Sequence, residues 1–227
     1  MSTKDKKLDS LLAIAKSADE KIAEAEKHLG VPHGTLADVA KDTDYLAILK
    51  IHATIEPLLN ELLEENITRA LKHPKVNFPG GETLAEFVLA RNLDDKRKLA
   101  VKCELIDQAR SNFIRHVANV RNRYVHNVKN MPLSIPDIAK KLSPKDDGAA
   151  ILASLYGITS KVPLSSLVQA FMRPLLYWNF AFLLADVIKG IKPPDSKGLV
   201  GLFPSPTVLD NLATIPDTND EVIDDGT

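Results

Sequence analysis

Arg121 occupies a position where a helix is expected to carry an apolar side chain. If residues 111–127 form one helix, Arg121 falls within its apolar arc, while His126 falls on the opposite, polar arc. A guanidinium on a buried face is costly unless another group pairs with it. Two roles for Arg121 follow. Either it stabilises the fold, with its charge reaching the surface or paired with a carboxylate, or it is kept away from water so that its guanidinium binds a phosphate.

An earlier helix offers a partner for this arginine. His52 and Glu56 lie one turn apart, at the edge of that helix's apolar face. We expect Glu56 to orient Arg121, with His52 in the same polar network. The spacing of His52 and Glu56 also suits a metal ion, but no matching pair occurs elsewhere, so we predict no metal site.

The amino-acid composition argues against several other kinds of functional site. The chain has a single cysteine, which excludes an internal disulfide framework and a cysteine-based zinc site. It lacks a glycine-rich phosphate loop, and we predict no cofactor. Aromatic residues make up only 5% of the chain, which argues against aromatic stacking platforms for single-stranded nucleic acid.

Helical periodicity runs through nearly the whole chain, and no alternating strand pattern persists. We therefore predict an all-α fold, a bundle of five to seven helices spanning residues 1–192. The predicted helices cover residues 5–29, 42–72, 83–91, 94–127 with a break near Ser111, 149–156 and 164–189, with a short helix inside 131–148. The charged residues around Lys96, Arg97 and Lys98 have the pattern of a solvated face.

The C-terminal segment, residues 193–227, is rich in proline and aspartate and is predicted to be a disordered acidic tail. It carries six carboxylates after Ser205 and no lysine or arginine there. Because the net charge of the whole chain is −1, the preceding residues are mildly basic, which suits an anionic partner. The tail is a candidate cover for this basic body.

Membrane insertion is not expected. The most apolar run, Pro174 to Ala185, is shorter than the roughly 20 residues that a membrane span needs. Arg173 and Asp186 flank it, so we interpret it as the central buried helix of the bundle. The chain opens without an apolar leader, which predicts a cytoplasmic protein.

The segment Arg121-Asn-Arg-Tyr-Val-His126 is an arginine, four residues and a histidine, with asparagine directly after the arginine. Placed at the end of a helix in an all-helical chain, it resembles the signature of the HEPN superfamily. The upstream helix with His52-Ala-Thr-Ile-Glu56 adds to the resemblance, which covers residues 40–190 as a HEPN-like core.

The resemblance implies a dimeric helical bundle. In catalytic HEPN proteins the two motifs meet at the dimer cleft and cut RNA without a metal, and some members are toxins or defence factors with a protein antitoxin. Arg121 and His126 match the active residues, and Asn122 matches the polar residue after the arginine. Other members are non-catalytic regulators or interaction modules, such as the mannitol repressor group. A third, unrelated interpretation is a helical scaffold in which Arg121 is purely structural.

The implied chemistry needs no metal-bound water, because RNA carries its own nucleophile in the 2′-hydroxyl group. His126 would act as general base or acid, and Arg121 would stabilise charge on the phosphorane. On an ideal helix these two side chains point roughly 140° apart. A short and a long side chain can still converge at the edge of a cleft. Convergence is easier if a second protomer supplies its own pair, or if the helix loosens near its end.

Overall fold

A computed structural model describes residues 3–71, 84–142, 148–156 and 166–191. The predicted tail, 193–227, lies outside these ranges. The described part contains eight α-helices and no strand, which confirms the all-α fold. They are α1 (Thr3–Leu29), α2 (Asp44–Leu71), α3 (Leu84–Leu89), α4 (Leu93–Lys102), α5 (Gln108–Val125), α6 (Ile135–Lys140), α7 (Gly148–Tyr156) and α8 (Ser166–Ile191). Two short 3₁₀ turns, Ala37–Ala40 and Val128–Asn130, connect them.

Residues 94–127 form two helices, as the predicted break implies. The break lies at residues 103–107, a few residues before the predicted position at Ser111. Glu104 there has a φ of 57°, in the left-handed region that a helix cannot contain. Asp107 then starts α5, because its carboxylate accepts a hydrogen bond of 2.8 Å from the N–H of Arg110.

Helices α2 and α8 form the centre of the bundle. Helix α8 packs on α1, α2 and α7. By length and composition alone, its stretch from Met172 to Ile191 could cross a membrane, but half of that stretch is buried inside the bundle. The central helix of a soluble bundle passes the same test, and the packing of α8 confirms its predicted place in the core.

Asp44 joins three helices at one end of the bundle. Its carboxylate accepts a hydrogen bond from the N–H of Ile135 at 2.7 Å, at the start of α6. The guanidinium of Arg173, from α8, contacts the other oxygen of Asp44. This junction fixes the start of α2, and the hydroxyl of Thr43 supports it by accepting from the N–H of Leu46 at 3.4 Å.

Glu26, near the end of α1, organises the connection that leads to α2. Its side chain is only 2% exposed. The two carboxylate oxygens accept hydrogen bonds from the N–H groups of Gly34, Leu36 and Ala37, at 2.8, 2.7 and 3.3 Å. Glu26 thus supplies the acceptors that an irregular buried backbone needs.

The solvated-face prediction is wrong for two of the basic residues in α4. Lys96 and Arg97 are buried, at 4% and 8% exposure. Arg97 is satisfied by Asp94, at 2.7 Å, and by the hydroxyl of Ser111 on α5. A charged side chain tolerates such burial because its donors are paired, and this pairing holds α4 against α5.

Candidate functional site

Helices α2 and α5 pack together and position the Arg121–His126 segment. The rings of Tyr45 and Tyr124 meet edge to face, with centroids 5.5 Å apart. Tyr124 is fully buried, and its hydroxyl donates a hydrogen bond of 2.9 Å to the carbonyl of Leu133. Burial raises the pKa of Tyr124 above its usual value. The last turn of α5 is therefore anchored on one side by α2 and on the other by the chain that follows.

The end of α5 is closed by local hydrogen bonds. His126 is the residue that caps the helix, and its N–H donates to the carbonyl of Asn122 at 2.9 Å. The Asn130 amide donates to the carbonyl of Arg123 at 2.9 Å. Asn127 is extended, and its side chain accepts from the N–H of Lys129 at 3.1 Å. These contacts satisfy carbonyls that a helix end leaves unpaired and present His126 on a defined turn.

Arg121 is half-buried rather than fully buried. Its guanidinium donates a hydrogen bond of 3.0 Å to the side-chain oxygen of Asn122. Arg121 and Glu56 form no direct ion pair, so the contact through which we expected Glu56 to orient Arg121 is not formed. Partial exposure lowers the desolvation cost, and a neighbouring amide supplies the acceptor.

Arg121 and Glu56 nevertheless both affect the pKa of His52. Burial lowers the pKa of His52, the positive charge of Arg121 lowers it further, and the negative charge of Glu56 opposes both. The charges of Arg121 and Glu56 therefore act on His52, while no direct Glu56–Arg121 contact forms the predicted polar network. No group of three or more possible metal-binding side chains occurs among the residues that the structure describes.

This arrangement predicts opposite shifts in the titration of His52. Arg121→Met should raise the pKa of His52, because it removes a nearby positive charge from beside the imidazolium. Glu56→Gln should lower it, because it removes the stabilising carboxylate. Titration of the imidazole by NMR measures both shifts, with Arg115→Met as the matched control on the same helix. Unchanged values in both variants would contradict the network.

His126 and Asn122 are exposed, whereas Arg121 lies toward α2. No hydrogen bond joins Arg121 and His126 in the described structure. Asn122 lines a hollow of about 220 Å³ with Asn119 and Arg123, beside α6 and α7. Arg121 and Asn122 are thus joined by a hydrogen bond, and His126 lies on the same helix end with its side chain exposed.

The surface of this helix end is basic. The sequence contains no carboxylate between Asp107 and Asp137. In that interval it carries Arg115, Arg121, Arg123 and Lys129, besides Arg110, which pairs with Asp107 and Asp186. Such a stretch attracts phosphate groups. It was not predicted from the sequence, because the net charges of the tail and of the whole preceding chain do not reveal a local basic stretch.

Three exposed apolar side chains belong to the same end of the bundle. Val125 and Val128 flank His126 in the sequence and are 40% and 70% exposed. Leu46, next to Tyr45 at the start of α2, is 44% exposed. We call these three residues the apolar patch, and exposed apolar side chains of this kind suit contact with another protein surface.

Comparisons with models of known protein families, with curated proteins and with solved structures gave no match to this chain.

Proposed function

We propose that this protein is a HEPN-like, metal-independent endoribonuclease that acts as a homodimer. The observation that carries the proposal is the end of α5: an exposed His126 caps the helix that also carries Arg121 and Asn122. The carboxylate-free, basic character of residues 108–136 supports an RNA partner. A role as a toxin or defence factor in the cytoplasm, controlled by an antitoxin or another regulatory protein, belongs to the same proposal.

The reaction is an internal transfer of the phosphate. The 2′-hydroxyl oxygen attacks the adjacent phosphorus and gives up its proton to a base, and the bond from phosphorus to the 5′-oxygen breaks. The leaving 5′-oxygen takes up a proton, so the products are a 2′,3′-cyclic phosphate and a 5′-hydroxyl. His126 serves as base or acid in these transfers, and Arg121 neutralises the charge on the phosphorane. Asn122 holds the guanidinium in place, at 3.0 Å.

The homodimer belongs to the same proposal. Arg121 lies toward α2 and His126 is exposed, and a second copy would complete each site. The apolar patch of Leu46, Val125 and Val128 gives that second copy a surface to cover. Arg121 of one subunit and His126 of its partner then face one groove.

Cleavage of structured RNA in the presence of EDTA tests this function. The wild-type chain should release fragments that end in a 2′,3′-cyclic phosphate and begin with a 5′-hydroxyl, identified by mass spectrometry. Fragments with a 3′-hydroxyl and a 5′-phosphate, or RNA left intact in EDTA but cut with Mg²⁺, would contradict it.

The second candidate is a non-catalytic HEPN-like regulator or interaction module, similar to the mannitol repressor group. The observation in its favour is that Arg121 bonds to Asn122 and stands apart from His126, while the apolar patch remains open. In that case RNA stays intact under every condition. Substitutions such as Val128→Asp would then abolish capture of a partner protein, and Arg121→Ala would leave that capture unchanged.

A further inference from the structure

A second feature of the molecule is a cavity of about 540 Å³ between α5, α7 and α8. It shares no lining residue with the hollow beside Asn122. Phe113, Phe182 and Leu183 give it an apolar wall. A concave apolar surface of this size, bordered by a few polar groups, is the usual form of a ligand site.

The polar groups at the border favour an acidic ligand. Arg110 is already neutralised by Asp107 and Asp186, at 2.9 and 2.7 Å. Arg115 donates to the Nε2 atom of the neighbouring imidazole, and it has no carboxylate within ion-pair distance among the described residues. Its charge is therefore available to a ligand.

Only polar groups that line the cavity bear on its ligand. Lys21 is not one of them: its ammonium lies 4.8 Å from the centroid of the Phe182 ring and donates a hydrogen bond of 2.8 Å to the Ser17 hydroxyl, but Lys21 does not line the cavity. The Ser154 hydroxyl oxygen lines the cavity, and in the described part of the chain it is buried without a hydrogen-bond partner. A buried hydroxyl gains when a peptide or carboxylate group bonds to it.

We propose that this cavity binds residues 217–225 of the chain's own C-terminal segment. That sequence is Asp217-Thr-Asn-Asp-Glu-Val-Ile-Asp-Asp225, in which an aliphatic pair is flanked on both sides by two carboxylates. In this proposal Val222 and Ile223 pack on the aromatic wall, and a flanking carboxylate pairs with Arg115. The match joins an apolar wall to an apolar pair and the positive charge of Arg115 to an acidic segment.

The covalent connection permits this docking. Helix α8 ends at Ile191, and Leu183 lies eight positions earlier, about 12 Å back along the helix axis. The chain between Ile191 and Glu221 can span up to about 3.3 Å per residue, which is far more than this distance. Tethering gives the segment an effective concentration on the order of millimolar, so even weak contacts hold it in place.

Binding of a fluorescein-labelled peptide, residues 217–227, to the full chain tests the proposal by fluorescence anisotropy. The wild-type chain should bind it weakly, because its own segment fills the cavity. The full-length double variant Val222→Ser, Ile223→Ser should bind it at least about tenfold more tightly. The matched control is Val208→Ser, Leu209→Ser, which makes the same chemical change elsewhere in the segment and should behave as the wild type.

Charge variants locate the binding site when they are made in the Val222→Ser, Ile223→Ser chain, whose cavity is expected to be empty; we call this chain the opened variant. Arg115→Glu and the milder Arg115→Gln should weaken peptide binding, by about tenfold for the glutamate, whereas Arg123→Glu on the same helix should leave it unchanged. Binding should also weaken with added salt. Equal affinity of the wild-type and opened chains would mean that the cavity serves another occupant, such as a second copy or a different partner, and would overturn the proposal. An equal loss for Arg115→Glu and Arg123→Glu would overturn it as well. None of these binding measurements uses RNA cleavage, so their outcome does not depend on the proposed nuclease activity.

Discussion

Alanine at position 126 is expected to reduce RNA cleavage by roughly 10²–10⁴-fold, which is the usual contribution of a general acid or base. The fold should not change, because His126 is exposed and its capping bond uses the backbone N–H, which alanine retains. Initial cleavage rates in EDTA measure the effect, and thermal melting confirms that the variant is folded.

Two companion variants make this result specific. Asn119→Ala removes a polar side chain from the same exposed face of α5 and should cleave RNA at the wild-type rate. Arg121→Lys keeps the charge but loses the planar fork, so its cleavage rate should fall while its melting temperature stays close to the wild-type value. An active His126→Ala variant would remove His126 from the mechanism.

The largest effect on stability is expected at Glu26. Replacing it with alanine leaves the N–H groups of Gly34, Leu36 and Ala37 without their acceptor. The free energy of unfolding should fall by about 3–5 kcal/mol, because hydrogen bonds to a charged group contribute more than neutral ones and buried donors are costly to orphan. Urea denaturation measures the loss, and Glu20→Ala, exposed on the same helix, should change it little.

Glu26 also makes stability depend on pH. Burial alone raises the pKa of Glu26, but the hydrogen bonds from the backbone and from His33 outweigh it, so the pKa is lowered. A lowered pKa in the folded state gives stability that is present above the unfolded pKa of about 4.3 and is lost as the pH falls through the folded value. Glu26→Gln should therefore flatten the acid side of the stability curve. A curve as steep as that of the wild type would contradict this origin.

The long regular helices were accessible from the sequence because their signals are local. Periodic apolar residues and the cap at Thr43 predicted α1 and α2 to within two residues of their ends, and α8 followed from its apolar run between Arg173 and Asp186. The break between α4 and α5 was misplaced because a left-handed Glu104 carries no sequence signal, although Asp107 is a usual helix start.

Local sequence patterns do not predict contacts between segments that are distant in the sequence. Glu26 was not singled out, since an acidic residue near a helix end usually faces water, and only the tertiary structure shows the N–H groups that surround it. The burial of Lys96 and Arg97 was missed for the same reason. Among the candidate site residues, the neighbourhood of His52, Glu56 and Arg121 could be predicted from helix faces, but the Arg121–Asn122 bond depends on side-chain conformation.

The central claim is that two copies of the chain build one RNA-cleaving groove, with Arg121 from one subunit and His126 from the other. Mixing two inactive variants, Arg121→Ala and His126→Ala, and measuring RNA cleavage in EDTA tests it most directly. The claim predicts that each variant alone is inactive and that the mixture regains part of the wild-type rate, because mixed dimers contain one intact site. A mixture as inactive as its parents, or a wild-type chain that leaves RNA intact, would contradict it.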